Sequence, residues 1–531
     1  MKATDGYTDQ ESMGMQLLKK GRRGLGKVLF SRAGLVALLL LLQIAILIGV
    51  QVRFKAFLPH YYLIVSVFCV VMVLYLFNGK FDPSAKLTWL VVIMLMPAFG
   101  ALLLLYTQSD VGHRLMKGRF AQIMADTKDD IPQDAGTLEK FRRDAPSAAG
   151  LACYLGRTGC HPVYDKTAVT YFPLGEDKFK ELLIQLDRAE KFIFLEYFII
   201  DEGLMWGRVL ELLAKKAAQG VEVRVMYDGS CEFSTLPHDY PRRLAELGIK
   251  CKMFGPIAPF VSTHYNYRDH RKILVIDGRV AFNGGVNLAD EYINRFKKHG
   301  HWKDTAVMLR GEAARSFTLM FLQMWNVDER EQEDFEKYIT AEAEPAADAA
   351  GYVLPYGDCP LDDERVGEWT YMDILNRAER YVHIMTPYLI LDGEMETAMK
   401  FAAERGVDVS LILPGIPDKK LIYALAKTHY SSLLRSGVKL YEYAPGFVHA
   451  KVFVSDDREA VVGSINLDYR SLYHHFECAT YLNRVSCIGE IAADFEKTRA
   501  LCRTVTPETV KAEKLSVRIA GYLMKVVAPL L

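Results

Sequence analysis

Apolar residues are concentrated in three runs near the N-terminus. Residues 33–52 contain no charged residue and match the length of about 20 residues that a helix needs to cross a bilayer. A shorter run covers residues 61–77, and a third covers residues 87–106 with Pro97 as a tolerated kink. This pattern predicts a membrane anchor over residues 33–107.

The tail at residues 1–32 is basic, which by the positive-inside rule favours the cytoplasm. It carries Lys19, Lys20, Arg22, Arg23, Lys27 and Arg32 close to the first run. Three crossings would place the rest of the chain outside, and two would keep it inside. The pattern leaves both topologies open.

From about residue 108 the pattern is that of an α/β protein. Residues 192–200 and 221–229 have the β-branched and aromatic content of strands, and residues 211–219 between them are helical. An acidic run at 328–336 leads into a linker at 341–350, which is poor in large apolar residues. These boundaries predict a first half at 108–340, a second half at 351–513 and an apolar C-terminal segment at 514–531 that packs on the body or lies in the membrane interface.

The second half repeats the first. HRKILVIDGRVAFNGGVN at 270–287 aligns without a gap with HAKVFVSDDREAVVGSIN at 449–466. Both blocks contain His-x-Lys-x4-Asp-x6-Gly-x-x-Asn, a coincidence too specific for chance. Duplication around a pseudo-twofold axis would bring two histidines, two lysines and two asparagines to one cleft.

The residues of this motif suit attack on a phosphodiester. His and Lys, two positions apart on a strand, project from one face. A neutral imidazole can attack phosphorus to form a covalent phosphohistidine, a second histidine can act as general acid and base, and lysines can hold the charge of the phosphate oxygens. The predicted catalytic residues are His270, Lys272, Asp277, His449, Lys451 and Asp456, with Asn287 and Asn466 binding phosphate.

The sequence contains two pairs of equivalent acidic residues, one pair within the motif and one pair after it. Asp277 and Asp456 belong to the motif but stand at the far end of the strand, where a structural role fits better. Asp304 and Glu477 occupy equivalent starts of an apolar strand. We expect them to orient the catalytic imidazoles, Glu477 that of His449 and Asp304 that of His270.

Composition narrows the function further. The chain has 65 Lys and Arg residues and 65 Asp and Glu residues. It therefore has no net positive charge that would attract a nucleic acid. The nine cysteines form no CxxC pair, which argues against a zinc site and a disulfide scaffold. The lysine pair supplies the cationic clamp that a metal would otherwise provide. We therefore expect no metal and no cofactor, and the sequence gives no indication of an oligomeric state.

The paired motifs resemble the phospholipase D superfamily and, in the fuller pattern, the bacterial cardiolipin synthases. The resemblance covers nearly the whole chain, including LEYFIIDEG at 195–203, HWKDT at 301–305 and both long motif blocks. It implies two phospholipase D-like halves, each a mixed sheet flanked by helices, after N-terminal transmembrane helices. It also implies cardiolipin formation from two molecules of phosphatidylglycerol in the membrane, with release of glycerol. One departure is Gly285, where a serine is common.

The resemblance also implies a multi-pass protein of the cell membrane with its catalytic body on the cytoplasmic face. Together with the basic tail, this predicts two true crossings, with the run at 61–77 or a neighbour failing to span. Two other functions stay open: a phosphodiesterase that hydrolyses lipid or nucleic acid, and a membrane-anchored interaction protein without catalysis. The apolar runs argue against a nuclease, and the complete motif in both halves argues against lost catalysis.

Overall fold

The computed structural model describes residues 58–79, 82–108, 111–255, 267–329, 333–339, 349–362 and 364–530, with five isolated positions between 41 and 49. The predicted tail at 1–32 and nearly all of the first apolar run lie outside the described residues. So does the linker at 341–350, except for its last two residues.

The N-terminal apolar sequence forms three helices, which are α1 (Leu58–Asn78), α2 (Pro83–Leu95) and α3 (Pro97–Gln108). The third apolar run was expected to be one helix with a kink at Pro97, and this was wrong, because the helix ends at Leu95 and a new one starts at Pro97. Proline lacks the N–H that would continue the helix and its ring clashes with the preceding turn. The chain turns so sharply that a Cβ on Gly100 would lie 2.9 Å from the Cα of Ile93.

These three helices pack on one another through a small apolar cluster. It contains Leu76 of α1, Ile93 of α2 and Leu104 of α3, all buried. Many other apolar side chains of the same helices are exposed. In the part of the chain that the structure describes, no helix has both the length and the apolar character needed to cross a membrane.

The first half begins with three helices that lead from the N-terminal cluster to the first sheet. These are α4 (Val111–Asp126), α5 (Ala135–Asp144) and α6 (Ala149–Thr158). Its strands are β1 (Thr167–Phe172), β2 (Phe192–Tyr197), β3 (Glu222–Asp228), β4 (Lys250–Phe254), β5 (Arg268–Asp269), β6 (Lys272–Ile276), β7 (Val280–Gly284), β8 (His301–Lys303) and β9 (Ala306–Gly311). Its other helices are α7 (Gly175–Asp187), α8 (Leu204–Ala218), α9 (Cys231–Ser234), α10 (Tyr240–Ala245), α11 (Ala314–Asn326) and α12 (Glu336–Ile339).

The second half contains the same kinds of element. Its strands are β10 (Tyr352–Asp358), β11 (Tyr381–Met385), β12 (Asp408–Pro414), β13 (Lys439–Tyr443), β14 (Gly446–Val448), β15 (Val452–Ser455), β16 (Glu459–Gly463), β17 (His475–Asn483) and β18 (Cys502–Thr504). Its helices are α13 (Val366–Arg377), α14 (Gly393–Glu404), α15 (Lys420–Arg435), α16 (Tyr469–Tyr473), α17 (Ile488–Arg499), α18 (Pro507–Lys511) and α19 (Leu515–Val527).

The two main sheets have the same strand order, as the sequence repeat predicts. The first runs β1-β9-β7-β6-β2-β3-β4, and the second runs β10-β17-β16-β15-β11-β12-β13 before β18 is added at the edge. In each sheet the central strand pairs in parallel on one side and antiparallel with the motif strand on the other. This confirms the α/β architecture of mixed sheets flanked by helices.

The two halves share one core and are also joined by short strand pairs. Buried valines from both sheets, including Val275, Val307, Val454 and Val462, belong to a single apolar cluster. Beside it, β5 pairs in parallel with β17 and β8 pairs in parallel with β14, so each pairing links one half to the other. The pairings place the starts of the two motif strands at the boundary between the halves.

Candidate active site

The two motif histidines line one cleft of about 860 Å³ at the boundary between the halves. His270 stands immediately after β5 and two residues before Lys272, the first residue of β6, and His449 follows β14 in the same way. Both imidazoles are largely buried, and Lys272 and Lys451 are almost completely buried beside them. The structure therefore brings together the His and Lys residues that the repeat predicted.

Each histidine is held by a carboxylate through its Nδ1 atom. His270 Nδ1 lies 2.8 Å from Glu477 Oε1, and His449 Nδ1 lies 2.7 Å from Asp304 Oδ2. The prediction that Asp304 and Glu477 orient the imidazoles is consistent with these contacts, but the predicted pairing was wrong. Each acid contacts the histidine of the opposite half.

The short inter-half strand pairs explain this exchange. Glu477 lies on β17 next to the residues that pair with β5, which ends one residue before His270. Asp304 directly follows β8, which pairs with β14 and so lies beside His449. A carboxylate on one half is therefore delivered to the imidazole of the other.

Both lysines are held close to the histidine of their own motif. Lys272 Nζ donates a hydrogen bond to the carbonyl oxygen of His270, and Lys451 Nζ donates to that of His449. Burial lowers the pKa of Lys272 to about 8 and that of Lys451 to about 7. Each amine therefore holds its proton more firmly when an anion is bound beside it than when the cleft is empty.

The cleft favours neutral imidazoles before substrate binds. Burial, followed by the charge of Lys272, holds the pKa of His270 well below its usual range. Burial, followed by Lys451, lowers the pKa of His449 to about 4. A neutral imidazole that donates its Nδ1–H to a carboxylate leaves the lone pair of Nε2 available for attack or for proton transfer.

The two asparagines predicted to bind phosphate both line the cleft, but only one has a free amide oxygen. Asn287 accepts a hydrogen bond from the Ile199 N–H and donates one to the Tyr292 hydroxyl. The Oδ1 atom of Asn466 has no hydrogen-bond partner among the described residues. Asn287 therefore shapes the wall, and Asn466 is the better candidate for a contact with substrate.

Asp277 and Asp456, which the motif placed among the predicted catalytic residues, hold backbone turns and do not line the cleft. Asp277 accepts hydrogen bonds from the backbone N–H groups of residues 190, 191 and 192, and Asp456 accepts them from residues 379, 380 and 381. Both have positive φ values near 55°. The structural role that their position at the far end of the strand suggested fits these contacts.

The departure at Gly285 has a steric reason. A Cβ on Gly285 would lie 2.1 Å from Asp304 Oδ1, so this site has no room for a side chain. At the equivalent position of the second half, the Ser464 hydroxyl donates a hydrogen bond to Glu477. In the second half the Ser464 hydroxyl thus supports Glu477, whereas in the first half Asp304 occupies the space that a serine side chain would take.

Sequence reasoning missed several residues that surround the two histidines. Phe198 and His475 contact His270, with ring centroids 4.8 and 5.2 Å away. Tyr292 and Trp302 contact His449 at 5.3 and 5.4 Å. His475 and Trp302 each stand two residues before an orienting acid, which is the signal that could have revealed them.

His475 differs from its counterpart Trp302 because it is polar. Neither of its ring nitrogens has a hydrogen-bond partner among the described residues, although Nδ1 lies 3.7 Å from Glu477 Oε1. Another histidine, His299, also lines the cleft.

Among the residues that the structure describes, two groups of side chains are close enough to share a metal ion. One contains His270, His475 and Glu477, and the other contains Glu368, Asp392 and Glu394, which do not line the cleft. Lys272 contributes positive charge at His270 and His475, which disfavours a cation in the first group.

Comparisons with known proteins agree with this geometry. The family model described as "Cardiolipin synthase, PLD-like domain" matches residues 182–325 and 371–499. An uncharacterized protein of Streptococcus mutans is 58% identical over 459 residues, covering 86% of this chain and 99% of that protein. A cardiolipin synthase of Geobacillus kaustophilus is 32% identical over 477 residues, covering 88% of this chain and 92% of that protein.

Solved structures support the fold alone. The crystal structure of the phosphatidylserine synthase of Haemophilus influenzae matches with a TM-score of 0.54 at 14% identity. The match covers 68% of this chain and 95% of that protein. With two phospholipase D-like halves around one cleft and the family match over both, this chain belongs to the cardiolipin synthase family and is a phosphatidyltransferase.

Proposed function

We propose that this chain transfers a phosphatidyl group from one phosphatidylglycerol molecule to another, giving cardiolipin and glycerol through a phosphohistidine intermediate. The observation that carries the proposal is the pair of buried imidazoles in one cleft, each bonded through Nδ1 to a carboxylate. One displacement would need a nucleophile and an acid, and the second would need a leaving group and a base. Two histidines, each oriented through Nδ1 by a carboxylate, supply all four roles in this proposal.

In the first step, Nε2 of His270 attacks phosphorus and the bond from phosphorus to the glycerol oxygen breaks. His449, protonated once the anionic phosphodiester lies beside it, gives its proton to that oxygen. Glu477 stabilises the positive charge that forms on the His270 ring. Lys272 and Lys451 hold the negative charge on the non-bridging oxygens.

In the second step, His449 removes a proton from the primary hydroxyl of a second phosphatidylglycerol. That oxygen attacks phosphorus, the bond to His270 breaks, and cardiolipin leaves. The assignment of His270 as nucleophile follows the family resemblance. Water would be the competing nucleophile, so the outcome depends on a high local concentration of lipid hydroxyls.

We further propose that the enzyme is bound to the membrane by its N-terminal apolar segments, with two crossings and the body on the cytoplasmic face. The exposed side chains of Leu63, Val67 and Leu95 support an apolar environment around α1 and α2. Impermeant thiol labelling at cysteines introduced before residue 30 and after residue 110 tests the topology. Labelling of both ends from the same side is expected, and labelling from opposite sides would refute it.

The catalytic proposal is tested with His270→Ala and His449→Ala in phosphatidylglycerol vesicles. Neither variant should form cardiolipin, and a labelled phosphatidyl-enzyme should accumulate in H449A but not in H270A. His429→Ala is a matched control, because His429 is also buried and paired with a glutamate but does not line the cleft.

Three outcomes would change the proposal. A phosphatidyl-enzyme in H270A alone would exchange the two roles. Phosphatidic acid as the main product of the wild type would indicate a hydrolase. Full activity in both variants would refute catalysis by this pair.

A further inference from the structure

The C-terminal helix α19 has two faces of different character. Gly521 and Met524 face the body, whereas Leu515, Ile519, Tyr522, Leu523 and Val526 are 44% to 68% exposed. Their spacing of three, four and seven residues puts these five side chains on one side of the helix. Five large apolar side chains in one row are more than the scattered exposure that a soluble surface normally shows.

The inner face of α19 is already fully used for packing. A Cβ on Gly521 would lie 2.4 Å from the carbonyl oxygen of Ala424 in α15, so the two helices are in backbone contact. The Thr88 hydroxyl of α2 donates a hydrogen bond of 2.7 Å to the carbonyl oxygen of Val526. These backbone contacts hold the helix on the body while the side chains of the apolar row stay 44% to 68% exposed.

The exposed row continues into the N-terminal helices. Thr88, which contacts the end of α19, is preceded by Leu87, whose side chain is exposed, and Met94 and Leu95 follow on the same helix with exposed side chains. The apolar surface of α19 is thus joined to the surface for which a membrane was proposed above.

Cations border the apolar row along one flank. Arg518 and Lys525 are exposed and seven residues apart, so both lie on the same side of the helix, between the apolar row and the body. The chain has no acidic residue after Glu513. An apolar strip with basic residues beside it is the pattern of a helix that lies in the interface of an anionic bilayer.

We propose that α19 docks on the surface of a bilayer that contains anionic phospholipid. Its apolar row would enter the boundary between headgroups and acyl chains, and Arg518 and Lys525 would reach the phosphates. This inference goes beyond the anchoring by N-terminal segments but shares the lipid bilayer of the proposed function. A second copy of this chain or another protein would not require the flank of cations.

Docking by α19 would fix the distance between the cleft and the bilayer. The helix ends in a 3-10 turn at Ala528–Leu530, where Ala528 packs on Tyr469 and the Pro529 backbone hydrogen-bonds His474. Tyr469 and His474 come shortly before His475 in the chain, and His475 lies in the cleft wall. Docking of α19 would therefore hold the lipid surface close to the reacting groups.

Spin labels on the full-length enzyme in nanodiscs test the docking. Of the nine cysteines, all of which the structure describes, Cys153 alone is exposed, so Cys153→Ser gives a background for labelling at positions 518, 519, 523, 525 and 526. In nanodiscs of phosphatidylcholine with phosphatidylglycerol, collision with oxygen should exceed collision with a water-soluble nickel chelate at 519, 523 and 526. The reverse is expected at 518 and 525.

The result would overturn the proposal if all five labels collided mainly with the nickel chelate. The proposal would also be overturned if labels at 519 and 523 were shielded from both reagents, because such shielding would indicate a protein partner. Neither result would affect the proposed transfer reaction, which the histidine variants test separately.

A double variant, Ile519→Glu with Leu523→Glu, adds a functional readout. It should lose most activity on vesicle phosphatidylglycerol but keep activity on water-soluble dihexanoyl phosphatidylglycerol. Phe401→Glu is the matched control, because Phe401 is an exposed apolar residue on α14, and it should behave as the wild type on both substrates. Equal losses on both substrates in the double variant would show that α19 only stabilises the fold.

Discussion

Replacing Glu477 by glutamine isolates the charge that faces His270. The glutamine keeps the shape of the side chain and can still accept a hydrogen bond from Ser464. Burial raises the pKa of Glu477, and the charge of Lys272 opposes that shift. The glutamine cannot carry the negative charge that the glutamate can place 2.8 Å from His270 Nδ1, at a site where both partners are buried. That charge is needed most when phosphorylation makes the imidazole ring positive.

The size of the effect follows from the bond that is weakened. A hydrogen bond to a charged group contributes about 1.5 to 3 kcal/mol. Each 1.36 kcal/mol corresponds to a tenfold change in rate, so formation of the phosphatidyl-enzyme should slow by about 10- to 160-fold. Asp304→Asn should instead slow the steps that use His449, so that the phosphatidyl-enzyme accumulates.

Rapid-quench measurements with labelled phosphatidylglycerol distinguish the two variants. The quench must be alkaline, because the N–P bond of phosphohistidine hydrolyses in acid. Glu368→Gln is the control, because Glu368 is also a buried glutamate whose pKa is raised by burial, but it does not line the cleft. Accumulation in E477Q rather than in D304N would refute the crossed assignment, and a wild-type rate in E477Q would refute the role of the carboxylate.

Four further predictions follow from the same geometry. Gly285→Ser should displace Asp304 from His449 and lower turnover while the phosphatidyl-enzyme accumulates; unchanged turnover would contradict this. Asp277→Ala should lower the free energy of unfolding by about 2 to 4 kcal/mol through three lost backbone hydrogen bonds, a loss that denaturant titration would measure. Because burial lowers the pKa of Lys451 to about 7 and that of Lys272 to about 8, kcat/KM should fall as rising pH removes these protons, and a flat profile from pH 6 to 9 would exclude that dependence. Cardiolipin formation should continue in excess EDTA, whereas a loss restored only by a divalent ion would refute the metal-free mechanism.

Much of the fold could be predicted because the duplication is visible in the sequence. The repeated blocks place His270 and His449 at equivalent ends of equivalent strands, and the two sheets have the same order. The spacing of His and Lys within one strand is a local property, so it also predicted that each pair would project together.

The partners of the histidines depend on contacts between halves, which a repeat does not reveal. Aligning Asp304 with Glu477 shows that they are equivalent but not which imidazole each one reaches. The pairing of β5 with β17 and of β8 with β14 determines which imidazole each acid reaches, and these pairs contain only two and three residues. The break at Pro97 was missed for a related reason, because hydropathy measures apolar length and not the direction of the chain.

The exchange of carboxylates between halves has a consequence for how the enzyme is made. While the ribosome is still adding the second half, His270 has no Glu477 and His449 has not been synthesised. A newly made first half therefore lacks the carboxylate partner of His270 and the whole of the second histidine, even after its own sheet has folded. The proposed site is therefore complete only when the chain has been synthesised past residue 477 and the two halves have packed on each other.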